Sequence, residues 1–280
     1  MIYFSNPVLM AEAKTGDVDI SIIPHWSDSS KLNFEHLRYL TPTKNILERI
    51  QKCPPDKTPI ILITTGAYCP IHKMHIEMHE IARKYIEDNF NAEVVGSLLS
   101  ASHDEYVKAK ITYSYPQKFW LDANTRIKLI NLALHDYPCI EQDLFEAKAS
   151  RFIDFGYVVS NRNAYFSWEC DKHQLPPPLV VMLVGEDMLK CHLYPPPAGI
   201  GLALIRRKGS SRFKSRWPKL DQRQQWNEHV FLIETEKELE VSSTRIRLAA
   251  ADNDIDTLKQ MVPEKVATEL IKLWIDNPDN

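Results

Sequence analysis

Ile60-Ile61-Leu62-Ile63-Thr64-Thr65, running into Gly66-Ala67-Tyr68-Cys69-Pro70-Ile71-His72-Lys73-Met74-His75, is the stretch that decides the fold. An unbroken apolar and β-branched run reads as a strand buried on both faces. Gly66 ends it. Over residues 73–87 the apolar positions Met74, Met78, Ile81, Ala82, Tyr85 and Ile86 recur at helical spacing. A second apolar run follows at 94–99. Strand, glycine turn, helix and strand make one βαβ unit.

The alternation continues along the chain. Residues 124–134 read as a helix with Ile127, Ile130 and Leu134 on one stripe, and 179–184 as a second apolar strand closed by Gly185. Shorter strands fall at 202–205 and 230–233. Helices at 242–251 and 263–275 close the chain, with Pro263 suited to a first helical turn. This pattern predicts a Rossmann-like, doubly wound α/β fold: a mostly parallel sheet with helices on both faces. Ligands in such folds sit outside the carboxyl ends of the strands, near a switch in strand order. Pro176-Pro177-Pro178 and Pro195-Pro196-Pro197 read as stiff extended connectors. Residues 1–57 differ from the rest. A Ser- and Asp-containing loop over 16–31 precedes one helix bearing Leu40, Ile46, Leu47 and Ile50, and Pro54-Pro55 ends the segment. We read it as an extension packed on the main domain, which occupies 58–280.

Composition bounds the function. With 280 residues, 44% hydrophobic content, 25% charged content and a net charge of −3, the chain is an ordinary globular sequence. It lacks the basic field that nucleic-acid binding needs. No apolar run is long enough to cross a bilayer, and the start lacks a signal-peptide pattern. The expectation is a protein of the cytoplasm or nucleus with no nucleic-acid or membrane partner. Cys53, Cys69, Cys139, Cys170 and Cys191 form no C-x-x-C pair, so neither a zinc site nor a disulfide framework is indicated, and the metal-ligand set is read as none. The basic run over 206–219 reads as a solvated loop, with an import or polyanion patch as the other reading. Arg206 or Arg207 would then point toward the ligand from its strand end.

Two segments carry chemistry. At the first, a glycine lets backbone amides approach a ligand, and the following helix start offers unpaired amides and a positive dipole end. His72 and His75, three apart, share a face there. They fit a phosphate site, where imidazole donors stabilise charge that grows during displacement, and they fit an ordinary helix cap equally well. The second segment is Val241-Ser242-Ser243-Thr244-Arg245-Ile246-Arg247. Its hydroxyls suit a helix cap or phosphate oxygens, and Arg245 and Arg247 add forked donors.

Together, G-x-Y/F-x-P-I-H-x-x-H after a buried strand and S-S-T-x-I-R near the end resemble the nucleotidylyltransferase superfamily. Within it the chain resembles nicotinamide/nicotinate mononucleotide adenylyltransferases. Ser100-Ala101-Ser102-His103-Asp104-Glu105-Tyr106-Val107-Lys108 is similar to that family's S-P-V-x-D-x-Y-x-K, and Gly185-Glu186-Asp187 to its G-x-D. Residues 122–134, with Arg126, resemble its Arg-bearing helix. The resemblance covers about 59–275. It implies a catalytic domain over 58–280 that moves AMP from ATP, with Mg²⁺ carried by the ATP phosphates, onto a pyridine mononucleotide. By position, His75 would hold the α-phosphate, and His72 and Arg245 the leaving phosphates, with Ser242, Ser243 and Thr244 at the helix start. Gly66, Ala67 and Tyr68 would shape the floor, and Gly185 and Asp187 the ribose or base end. Lys108 would bind the acceptor phosphate beside Tyr106. Where the family stacks tryptophans on the acceptor ring, this chain offers Phe145 or Phe152, and Tyr194 in the second region. That departure, with Cys69 for Asn and Ala101 for Pro, keeps two alternatives open: another phosphorylated acceptor, or a nucleotide-binding protein without catalysis.

Overall fold

The structure, a computed structural model, describes residues 34–112, 119–186, 188, 199–208, 229–236 and 241–276. Six strands form one sheet: β1 (Thr58–Gly66), β2 (Ala92–Ala101), β3 (Ile140–Asp143), β4 (Leu179–Gly185), β5 (Ile200–Arg207) and β6 (Val230–Thr235). Their spatial order is β3-β2-β1-β4-β5-β6, and every pairing is parallel. The order reverses between β1 and β4, so the crevice expected to hold a ligand lies where Gly66 and Gly185 end adjacent strands.

Helices cover both faces because the strands are apolar on both. On one side lie α2 (Lys44–Lys52) and α6 (Phe155–Lys172). Ile46 and Ile50 of α2 and Val158, Tyr165 and Phe166 of α6 pack on Ile61, Ile63, Val95, Leu98 and Val180. The short α1 (Phe34–Leu37) adds Phe34 to this cluster. Among the described residues before β1, those of α1 and α2 therefore form part of the core on this face. Gly96 shows how closely α2 is seated, since a Cβ there would come within 3.0 Å of the Ile46 side chain.

On the other side α3 (Lys73–Asn89) packs Ala82 and Ile86 on Ile60, Leu62 and Val181. Beside it, α5 (Ala123–Ala133), α7 (Ser243–Ala251), α8 (Ile255–Met261) and α9 (Glu264–Ile271) share a cluster with Leu99, Ala101 and Ile140. Side-chain caps begin several of these helices: Asp122 accepts from the Thr125 amide, Asp154 from Gly156 and Ser242 from Arg245. The last helix relaxes into a π-helical turn at Lys272–Asp276. Finally, α4 (Asp104–Thr112) starts just past the carboxyl end of β2.

Against the sequence reading, the two central strands and their helices fall where expected. Five described elements were not expected: α1, β3, α4, α6 and α8. Leu40 lies in a turn ahead of α2 rather than on it.

Candidate active site

The loop 66–72 between β1 and α3 is fixed by its carbonyls. The Ser102 amide donates to Gly66 O at 2.8 Å, and Arg126 Nη1 to Ala67 O at 3.0 Å. Arg247 Nη1 donates to Cys69 O at 2.5 Å, and Ser243 Oγ to Pro70 O at 2.9 Å. The four donors come from the end of β2, from α5 and from α7. Arg126 is fully buried and also reaches Leu121 O at 3.2 Å and Asp104 Oδ1 at 2.7 Å. A loop held this way is ordered before any ligand arrives, which removes the cost of ordering it on binding.

His72 is the N-cap of α3 and His75 its third residue, and their rings stack with centroids 3.5 Å apart and planes 15° from parallel. Neutral rings suit such a stack, and desolvation favours them. Desolvation pushes His72 down to about 3. Burial, then the fields of His72, Lys110 and His79, hold His75 well below the usual histidine range. The backbone also sets the His75 tautomer. The His72 amide donates to His75 Nδ1 at 3.2 Å, so Nδ1 carries the lone pair and Nε2 the proton. His75 is thus a neutral N–H donor on the ring edge away from its own backbone.

At α7 the three hydroxyls differ in what they have left to give. Ser243 spends its proton on Pro70 O. Ser242 accepts from the Arg245 amide at 3.2 Å, and Thr244 accepts from Arg247 Nη2 at 3.2 Å. An accepting hydroxyl retains its own proton, so Ser242 and Thr244 remain able to donate to a phosphate. Ser243 serves the loop. Arg245 is exposed at this helix start, whereas Arg247 is buried beneath it.

The expected acceptor residues divide. Tyr106 and Phe152 stack at 5.2 Å and 16°, with Phe155 edge-on to both. These three half-buried rings form an aromatic wall where α4 meets the start of α6. Phe145 is not part of it. Its ring is 3% exposed and is covered by the buried Arg162 guanidinium at 4.1 Å. Arg162 also pairs with Asp143 at 3.2 Å, and this buried cation occupies the aromatic face that a ligand ring would need. Lys108 is exposed, with Nζ 4.7 Å from the Trp120 ring centre. Its neighbour Lys110 reaches over Tyr106 at 5.8 Å and is the lysine whose field acts on His75. Tyr68 differs from a simple floor residue, because it is buried and turns its hydroxyl inward to Thr64. Gly185 lies at the end of β4. Asp187 and Tyr194 fall outside the described residues, as do Cys191, Pro195-Pro196-Pro197 and residues 209–219 of the basic run. Arg206 pairs with Glu234 of β6 and Lys208 with Glu236.

Sequence reasoning missed Lys110, Phe155, Thr64, His79 and Glu146. Glu146 is fully buried near Ser102 and Ser100. Desolvation, reinforced by Asp143, raises its carboxyl to about 8. Its one signal was its place directly after the aromatic Phe145. Among the described residues no group of three or more His, Cys, Asp or Glu side chains is placed to hold a metal ion. Asp104, near the loop, is committed to Arg126.

Over 90 residues the chain is 42% identical to nicotinamide/nicotinic acid mononucleotide adenylyltransferase 2 of Danio rerio, covering 32% of this chain and 27% of that protein. Over 135 residues it is 28% identical to the Arabidopsis thaliana nicotinamide/nicotinic acid mononucleotide adenylyltransferase, covering 48% of this chain and 52% of that one. The chain is similar to nicotinamide/nicotinic acid mononucleotide adenylyltransferases. Its matches span about half or less of the length of these adenylyltransferase relatives. A solved structure, Plasmodium falciparum nicotinic acid mononucleotide adenylyltransferase complexed with APC, aligns with a TM-score of 0.49 and 14% identity over 79% of this chain and 98% of that one. No protein-family model matches the chain.

Proposed function

We propose that this chain is an adenylyltransferase that joins the AMP moiety of ATP to nicotinamide mononucleotide or nicotinate mononucleotide, releasing pyrophosphate. The observation that carries the reading is the stacked, neutral His72–His75 pair at the start of α3, tied through Pro70 and Ser243 to the start of α7. Two helix N-termini held by one loop at the sheet's switch point suit a polyphosphate.

In this reading an acceptor phosphate oxygen forms a bond to the α-phosphorus of ATP while the bond from that phosphorus to the bridging oxygen breaks. Pyrophosphate takes the electron pair. No protein nucleophile is needed, so the protein positions the groups and stabilises the growing charge. His75 Nε2–H donates to the α-phosphate. His72 and Arg245 hold the leaving phosphates, helped by the Ser242 and Thr244 hydroxyls. Gly66 and Ala67 let the triphosphate approach the loop, and Gly185 and Asp187 take the ribose and base end. Lys108 binds the acceptor phosphate, and the Tyr106–Phe152 wall faces the acceptor ring. Mg²⁺ would enter carried by the ATP phosphates, as that ion commonly prefers phosphate and water oxygens.

The test is pyrophosphate release from Mg²⁺-ATP with nicotinamide mononucleotide, nicotinate mononucleotide or no acceptor, for wild type and His75→Ala. Acceptor-dependent release yielding NAD or its deamido form, reduced about 10²–10³-fold in the variant, is expected. ATP binding without release on either acceptor would overturn the reading in favour of another phosphorylated acceptor or a non-catalytic nucleotide binder.

A further inference from the structure

We propose that Thr64, Tyr68 and His79 form a positioning relay that sets where the His75 imidazole stands, so that Thr64 and His79 govern turnover without touching either substrate. The proposal rests on the reading of His75 as the α-phosphate donor.

Three contacts compose the relay. His79, one turn beyond His75 on α3, places Nε2 2.9 Å from Thr64 Oγ1 on β1. Thr64 Oγ1 lies 2.7 Å from the Tyr68 hydroxyl. The Tyr68 ring meets His75 edge-on, with centroids 4.8 Å apart and planes at 87°. All three relay residues are buried. The protons can be assigned. His79 Nδ1 finds no partner among the described residues, and an unpaired buried N–H costs more than an unpaired lone pair. Nε2 therefore carries the proton of the neutral ring and donates it to Thr64.

The backbone explains why Tyr68 needs an anchor. Its φ is +43°, in the left-handed region that a bulky residue seldom occupies. The ring lies over Gly66, where even a Cβ would come within 3.3 Å of it. Phenylalanine, valine and leucine would fill the same volume with no polar group to bury. Three buried polar groups bonded in a chain instead specify a single ring orientation. The relay thus holds α3 to β1 and the Tyr68 ring against His75, so both the height and the tilt of the imidazole are set from beneath.

The variants are Tyr68→Phe, Thr64→Val, Thr64→Ser, His79→Gln and His79→Leu, each checked for a cooperative thermal melt. Measured quantities are kcat, the KM for ATP and for the acceptor, and the imidazole ¹⁵N–¹H correlations of labelled histidines without substrate. Tyr68→Phe and Thr64→Val are expected to lower kcat about tenfold or more, as small misplacements do, to leave both KM values within threefold, and to move the His75 signals. The double variant should be no worse than either single one, because one chain is broken in each case. Thr64→Ser and His79→Gln, which keep a donor or acceptor in place, should restore most of kcat where His79→Leu does not. Folded variants with kcat within twofold of wild type, or with lost turnover but unmoved His75 signals, would overturn the relay. Should wild type show no acceptor-dependent turnover, the functional reading fails and the spectra decide the relay. A moved His75 signal in Tyr68→Phe upholds it, and an unmoved one ends it.

Discussion

Ser243 donates its hydroxyl to the Pro70 carbonyl oxygen at 2.9 Å, joining residues 173 positions apart in the chain. Arg247, one turn later, does the same for Cys69 O. The loop that follows the first strand is therefore completed by a helix far along the sequence, which supplies two of its four ties.

Removing that hydroxyl should be felt in both binding and stability. Ser243→Ala leaves Pro70 O without its donor, which costs about 1–2 kcal/mol. Thermal melts should drop by about 2–6 °C, and ATP titration should show weaker binding by several-fold. A variant matching wild type in both would show that the tie is incidental.

The Arg162–Asp143 pair should be coupled. Both side chains are fully buried, and Thr41 Oγ1 also donates to Asp143 Oδ1 at 2.7 Å. Arg162→Met strands a buried carboxylate and should cost about 3–5 kcal/mol in urea unfolding. Asp143→Asn added to it should recover a large part of that loss. Simple additivity of the two substitutions would refute the coupling.

Stability should fall at both ends of the pH range, for opposite reasons. His72 and His79 have folded values near 3, below the ordinary value of 6.5. Above 6.5 they are neutral in both states. As pH falls from 6.5 toward 3 only the unfolded chain takes protons, so stability is lost. Glu146 runs the other way, with a folded value of about 8 against 4.5. Below 4.5 it is protonated in both states, and as pH rises to 8 only the unfolded chain ionises, again losing stability. Glu146→Gln should therefore remove the loss of melting temperature that this group contributes between pH 4.5 and about 8, and leave the profile below pH 4.5 unchanged.

Two neighbouring lysines should separate by their effects. Lys108→Met is expected to raise the acceptor KM about tenfold with the pH profile of kcat unmoved. Lys110→Met removes a positive charge that disfavours protonation of His75, so the acid limb of the profile should shift to higher pH. Identical profiles for both variants and wild type would remove Lys110 from the account.

The parts of the fold legible in the sequence were those whose burial pattern is simple. Residues 60–63 and 179–184 are apolar on both faces, and α3 shows helical spacing, although its buried face is Ile76, His79, Ala82 and Ile86, with Met74, Met78, Ile81 and Tyr85 only partly covered. By contrast, β3 is four residues, Ile-Glu-Gln-Asp, at the sheet edge, too short and polar to signal a strand. The 18-residue α6 was hidden because Asn161, Arg162 and Glu169 are among its buried positions, so polar residues interrupt its apolar period. At the site, spacing exposed His72 and His75, but nothing local marks Ser243 as a loop tie or Phe145 as a partner of Arg162. Those roles depend on residues brought in from distant segments.

The seating of α2 against Gly96 has a consequence for the order of synthesis. Ile46 and Ile50 leave the ribosome well before residues 92–101, the strand they pack on, have been made. An amphipathic helix of nine residues is too short to persist alone in water. The earliest-made part of this face must therefore wait for later strands, and its apolar side is the surface a nascent chain would have to shield longest.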